Sequence, residues 1–245
     1  MYSSLLRQIL YALYLCLILY PQAFAGTVGH DTLIAQAGSE SVRQADLTPS
    51  LAREKKCEGC HRFSQASKET AAGPDLFFTG DKFQKAWMIA YLQKPEVIRK
   101  GGYITDPGFL RGEPTSADHA VLSAKEAEAM VDYLMTLKLP GLPNGVDSEP
   151  LSQGNRAKVK VLFERDYGCS ACHETINLAG KIRGGVSGPS LANAGNRLKA
   201  DWVYHWLKTP RDFLDKGRMP VFQLPDDVMV QITKYIMTMK KENLK

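Results

Sequence analysis

Apolar residues recur at three- and four-residue steps in two distant parts of the chain: Ala127, Met130, Val131, Leu134 and Leu137 in one, Val228, Ile232, Tyr235, Ile236 and Met239 in the other. That period places each set on one face of an amphipathic helix. Ser123 followed by Glu126 has the form of a capping box, which marks the start of the first of these helices. Segments 83–92 and 198–207 carry the same period, and a proline beyond each, Pro95 or Pro210, stops it. No alternation of apolar and polar residues competes with the helical pattern, so the expected class is all-α.

The pattern is duplicated as well as periodic. Gly-Pro-x-Leu occurs at residues 73–76 and again at 188–191; fourteen residues beyond each glycine stands Trp87 or Trp202, and eight beyond each tryptophan stands Pro95 or Pro210. The closing helices end alike, in Tyr133-Leu-Met-Thr-Leu-Lys138 and Tyr235-Ile-Met-Thr-Met-Lys240. Between the copies, residues 140–154 are rich in proline and glycine. These marks divide the chain into a domain at 49–140, a linker at 141–154 and a second domain at 155–245. Each unit, about 90 residues long, falls below the usual domain size.

Each unit also carries one short cysteine motif, Cys57-Glu58-Gly59-Cys60-His61 and Cys169-Ser170-Ala171-Cys172-His173. C-x-x-C-H is the attachment pattern of haem c. On a helix, residues three and four apart share a face, so both thiols can form thioethers with one porphyrin while the adjoining histidine turns toward the iron. Two motifs imply two covalently attached haem c groups, with His61 and His173 as iron ligands, and each porphyrin adds the apolar bulk that a short unit lacks. A structural zinc site built from both pairs is the competing reading, but it leaves the histidine after each second cysteine unexplained. A disulfide within each C-x-x-C belongs to βαβ settings, which this pattern lacks.

Residues 1–25 have the layout of a secretory signal peptide: Arg7, an apolar run at 9–20, and Ala23-Phe24-Ala25 as a small-residue cleavage site. The run is shorter than the roughly 20 residues of a membrane span. The mature chain is therefore expected to begin at Gly26, in the periplasm and without an integral span; the alternative is that the run is kept as an anchor. Residues 26–48 read as a flexible lead-in. Cys16 falls in the discarded segment, and the two motifs consume the other four cysteines.

With the motifs, both Gly-Pro-x-Leu turns, the tryptophan helices and the closing helices in place, residues 50–245 resemble the class I cytochromes c, and more closely their tandem dihaem members of the bacterial periplasm. The resemblance implies a small helical bundle around each haem and a role in electron transfer. It implies that the carbonyls of Pro74 and Pro189 orient His61 and His173, and that Trp87 and Trp202 lie near haem propionates. Plain core packing is the other reading for both tryptophans.

The sixth ligands separate the two copies. Gly217-Arg218-Met219-Pro220 matches the family's methionine loop, so the resemblance makes Met219 the ligand opposite His173; histidine with methionine raises the potential. The first copy departs from this. Its stretch from Pro95 to Tyr133 is thirteen residues longer than that from Pro210 to Tyr235 and holds no methionine before the final helix, since Met88, Met130 and Met135 fall on packing helices. Matching Leu122-Ser123 to Leu224-Pro225 brings His119 nearest the methionine position, which makes a bis-histidine first haem the expectation. The alternative is a loop histidine beside an open or water-bound iron. His30 and His205 read as surface or packing histidines.

Charge is unevenly divided. Residues 49–140 hold 13 Lys and Arg against 12 Asp and Glu, a net +1, whereas residues 155–245 hold 16 against 9, a net +7. A basic second domain would steer an acidic redox partner; a generally solvated surface or weak attraction to anionic lipid is the other reading, and the compartment excludes nucleic acid. The function expected is transfer of single electrons between a protein donor and acceptor. A peroxidase-like enzyme would need an open first iron and an acid or base such as Asp106, Arg111 or Glu113 in the longer loop. A cytochrome subunit of a larger respiratory complex is the third possibility.

Overall fold

The computed structural model describes residues 50–67, 73–100, 119–146, 149–177, 179–214 and 217–245. The expected signal peptide with Cys16, the lead-in with His30, and the loop carrying Asp106, Arg111 and Glu113 lie outside the described residues. In the first half, α1 (Ser50–Glu54) precedes a 3-10 turn at Cys57–Gly59, and α2 (Thr79–Lys82), α3 (Lys85–Gln93) and α4 (Ala124–Leu134) follow. In the second half, α5 (Gln153–Val161) runs through a π-helical turn (Leu162–Asp166) to a 3-10 turn at Cys169–Ala171. A hairpin of β1 (Glu174–Ile176) and β2 (Ile182–Gly184) comes next, then α6 (Ala194–Arg197), α7 (Ala200–Lys208), α8 (Pro210–Phe213) and α9 (Asp226–Met237). Among the described residues no helix is long and apolar enough to cross a membrane.

The long closing helices form for the reasons their sequence suggests. Ser123 Oγ accepts from the Glu126 amide, and the Glu126 carboxylate accepts from the Ser123 amide at 2.8 Å. Such a cap stabilises a helix by about 1 kcal/mol. Helix α4 buries Ala127, Met130, Val131 and Leu134 and packs on α1 and α3; α9 buries Met229, Ile232, Tyr235 and Ile236 and packs on α5, α6 and α7. Val228, expected in the α9 stripe, is half-buried, and Met229 takes the inner position.

The tryptophan helices start two residues later than their periodicity suggests, at Lys85 and Ala200 rather than Phe83 and Leu198. The reason is long-range. Phe83 and Leu198 are both extended and pair with each other in an antiparallel bridge. They are equivalent residues of the repeat, 115 positions apart, as are Gly73 and Gly188 or Trp87 and Trp202. The bonds around the bridge obey the same exchange: Gln84 N donates to Arg197 O at 2.9 Å and Lys199 N to Lys82 O at 2.9 Å. Gln84 Nε2 donates to Gly195 O and Lys199 Nζ to Gly80 O. Helix α2 packs on α7 and α3 on α6, so each half lays its short helix on the other's tryptophan helix. The halves are thus related by a local pseudo-twofold axis and share one core within a single compact unit, residues 47–245.

Three local features depart from the helical pattern. The β1–β2 hairpin has strands of three residues, too short to show alternation; Asn177 Oδ1 accepts from the amides of Ala179 and Lys181, and Gly180 turns at φ 75°. Pro210 opens α8 at its first position, where a missing N–H costs nothing. The linker is pinned as well: Asp201 accepts from the amides of Gly145 and Val146, and His205 Nε2 donates to Pro143 O at 2.9 Å.

Candidate functional site

Both C-x-x-C-H motifs adopt the same tight turn. The residue before each first cysteine is left-handed, Lys56 at φ 56° and Gly168 at φ 61°. Each histidine amide then donates back to its first cysteine, His61 N to Cys57 O at 3.0 Å and His173 N to Cys169 O at 3.1 Å. Cys57 and Cys169 are half-buried, Cys60 and Cys172 exposed, and none forms a disulfide. Burial raises the Cys57 thiol and pushes that of Cys169 up to about 11. Among the described residues no group of three or more His, Cys, Asp or Glu converges on a point that could hold a metal by itself, so the pairs do not combine into a zinc cluster.

The Gly-Pro-x-Leu turns lie against the two imidazoles. Gly73 N donates to Cys60 O and Gly188 N to Cys172 O, both at 2.7 Å. That brings Pro74 O to 2.6 Å from His61 Nδ1 and Pro189 O to 2.8 Å from His173 Nδ1. With Nδ1–H donating to a carbonyl, the neutral ring keeps its lone pair on Nε2, the atom left for a metal. Burial lowers the pKa of both histidines, against the opposing pull of the proline carbonyls, and so favours that neutral form. Glycine is required here. A Cβ on Gly73 would lie 2.7 Å from His61 Nδ1, and one on Gly188 would lie 2.6 Å from His173 Nδ1.

Across from His61 stands His119, its ring centroid 6.1 Å away and the two planes inclined at 58°. Two imidazoles sharing one iron would have centroids about 6.3 Å apart, from metal–nitrogen bonds of about 2.0 Å and about 1.15 Å from nitrogen to ring centre. His119 is held by Tyr91, edge-on at 5.4 Å, and by the bond from Leu122 N to Leu92 O, which fixes the loop's return to α3. Met219 is half-buried, and its sulfur lies 2.9 Å from Trp206 Nε1, which donates to it. Trp202 is buried between Phe78 and Phe213, while Trp87 is half-buried between Phe83 and Tyr91.

These arrangements fit haem c: paired thiols, a neutral imidazole with Nε2 available, and a second ring at one iron's span. Comparison with family models matches Cytochrome c to residues 48–138. Over that segment the chain is similar to cytochrome c. No curated protein and no solved structure matched the chain. A cytochrome c domain holds haem c covalently and transfers electrons, and the matched span takes in Cys57, Cys60, His61, Pro74, Trp87 and His119.

Sequence reasoning missed four contributors. Gly73 and Gly188 were legible only as turn residues, although both clear space for a ring. Tyr91 and Trp206 drew no role from the sequence, yet one abuts His119 and the other donates to Met219. The signal that could have found Tyr91 is its position one helical turn after Trp87, on the face that meets the returning loop.

Proposed function

We propose that the protein is an exported, periplasmic two-haem electron carrier, with one haem c at Cys57 and Cys60 and a second at Cys169 and Cys172. His61 and His119 bind the first iron, His173 and Met219 the second. The observation that carries this reading is the 6.1 Å separation of the His61 and His119 rings, which leaves the first iron no open position for a substrate. It favours a carrier over a peroxidase-like enzyme. The haem supplies a one-electron couple when bound. The polypeptide supplies the rest: Pro74 and Pro189 hold the tautomer and tilt of each histidine, and Gly73 and Gly188 let those turns approach.

The two ligand sets make the first haem the lower in potential, because methionine raises the second. Electrons then run downhill from the first half to the second, whose net charge of +7 draws an acidic acceptor by long-range attraction. Intact mass of the purified holoprotein, followed by an anaerobic potentiometric titration, tests the proposal. Two covalent haems and two separate one-electron steps are expected, with no turnover of peroxide. A single haem, or peroxide turnover, would overturn it.

A further inference from the structure

The seam between the halves is symmetric at its centre. The Lys82 ammonium lies 5.5 Å from the ring centre of Trp202 and the Arg197 guanidinium 5.9 Å from that of Trp87, each cation crossing onto the other half's tryptophan. Beyond Pro95 and Pro210 the symmetry ends. Residues 211–213 belong to α8, and the Phe213 ring lies 4.5 Å from that of Trp202 in its own half. The equivalent residues 96–100 form no helix and run across the second half instead. Ile98 O accepts from Ser190 N at 2.7 Å, Arg99 Nε donates to Ser187 O at 3.2 Å, and Lys100 Nζ pairs with Glu174 Oε1 at 2.8 Å. Glu96 ties down the start of this strap, accepting from Asn193 Nδ2 and Lys241 Nζ, each at 3.0 Å.

Three of these contacts fall within one residue of a single hydrogen bond. Ser187 and Ser190 flank Gly188-Pro189, Glu174 follows His173, and the bond from His173 Nδ1 to Pro189 O at 2.8 Å lies between them. The first half braces the matching pair by itself. Arg62 follows His61, Asp75 follows Pro74, and the Arg62 guanidinium grips the Asp75 carboxylate through both Nε and Nη2. The second half keeps the backbone bond behind that fork, Leu191 N to Glu174 O at 2.9 Å against Leu76 N to Arg62 O at 2.8 Å. Its side chains at the two places are Glu174 and Ser190, which cannot close a guanidinium–carboxylate fork. Glu174 is also only 7% exposed, and a carboxylate so buried is costly without a cation. Lys100 of the first half supplies that cation.

We propose that the strap braces the second haem's histidine: Arg99 and Lys100 are positioning residues that hold the turn at 187–190 so that Pro189 O stays on His173 Nδ1–H. This rests on reading the second C-x-x-C-H motif as a haem site. A carbonyl on Nδ1–H makes the imidazole a stronger donor to iron and favours the ferric state. The first half thereby sets part of the second haem's potential. The run from Pro95 to Tyr133, thirteen residues longer than its counterpart, holds both this strap and His119.

Proton exchange at Nδ1 of both motif histidines, read by NMR of the oxidised holoprotein, tests the brace, with potentials of the same samples from spectroelectrochemical titration. Lys100→Gln should speed exchange at His173 by about tenfold, the worth of one hydrogen bond, and leave His61 unaffected. It should raise the second haem's potential by about threefold in the equilibrium constant, or about 28 mV at about 59 mV per tenfold. Lys100→Arg keeps the pair with Glu174 and should match wild type in both readouts. The sign of the shift separates a brace from a bare charge, because removing a cation without moving the turn favours the ferric state and lowers the potential. Unchanged exchange at His173, equal acceleration at His61, an unchanged or lowered potential, or Lys100→Arg as fast as Lys100→Gln would overturn the proposal. If Lys100→Gln does not fold, Arg99→Met, which cuts the bond to Ser187 O and leaves Glu174 paired, carries the test with the same expectations. Fewer than two covalent haems in the wild-type intact mass would instead overturn the haem reading beneath it.

Discussion

Alanine at position 73 would drive a methyl group into the face of the His61 ring. A Cβ built there lies 2.7 Å from Nδ1 and 3.1 Å from Nε2. Non-bonded carbon contacts settle at about 3.5–4.0 Å, so ring and turn must separate by about 1 Å. Whether the imidazole tilts or the turn lifts, the 2.6 Å bond from Nδ1 to Pro74 O is lengthened. Overpacking costs about 1–3 kcal/mol, and the weakened hydrogen bond about 0.5–1.5 kcal/mol. Gly73→Ala should therefore lower the unfolding free energy of the holoprotein by about 2–4 kcal/mol. Gly59→Ala is the matched control: nothing lies within 4 Å of a Cβ there, and the second motif carries Ala171 at that place. Urea unfolding followed by Soret absorbance measures both. A Gly73→Ala loss under about 0.5 kcal/mol, the range of ordinary surface changes, would refute the packing argument.

Gln84→Ala removes two bonds across the seam, to Gly195 O at 2.9 Å and Leu198 O at 2.8 Å; a loss of about 1–3 kcal/mol in urea unfolding is expected, and an unchanged midpoint would contradict the seam's role. The Lys55 ammonium, with Ser123, holds the Glu126 carboxyl down to about 2. A depressed carboxyl stabilises above its ordinary pKa and loses that contribution on acidification. Glu126→Gln should thus be less stable than wild type at neutral pH, the two converging as pH falls from 4.5 toward about 2; a gap that stays constant over that range would contradict this. Trp206→Phe leaves the Met219 sulfur without its donor and should lower the potential of the haem that Met219 is proposed to bind, because a hydrogen bond draws electron density from the ligand. An unaltered potential in a redox titration would show that the contact does not persist with Met219 on the iron.

What could be read from the sequence, and what could not, follows from range. The capping box at Ser123 and the stripes of α4 and α9 are local, so periodicity located them. The equal intervals from Gly73 to Trp87 and Pro95, and from Gly188 to Trp202 and Pro210, exposed the repeat because duplication preserves spacing. Phe83 and Leu198 were misread as helical because their pairing joins residues 115 apart, which no local window contains. For the same reason the shared core of the two halves and the crossing of Lys82 and Arg197 onto opposite tryptophans had no local signature. The three-residue strands of the hairpin are set by the Asn177 turn rather than by alternation. His119 was approachable by elimination, but only the structure brings its ring to His61.

The central claim is a closed first iron between His61 and His119. Near-infrared magnetic circular dichroism of the oxidised holoprotein, with and without cyanide, reads the axial ligands of each ferric haem separately. One bis-histidine and one histidine–methionine low-spin haem, neither binding cyanide rapidly, is the predicted result, with His119→Ala converting the first to a form that binds cyanide at once. A wild-type protein that already contains a high-spin haem binding cyanide at once would contradict the account and place a substrate position at the first iron.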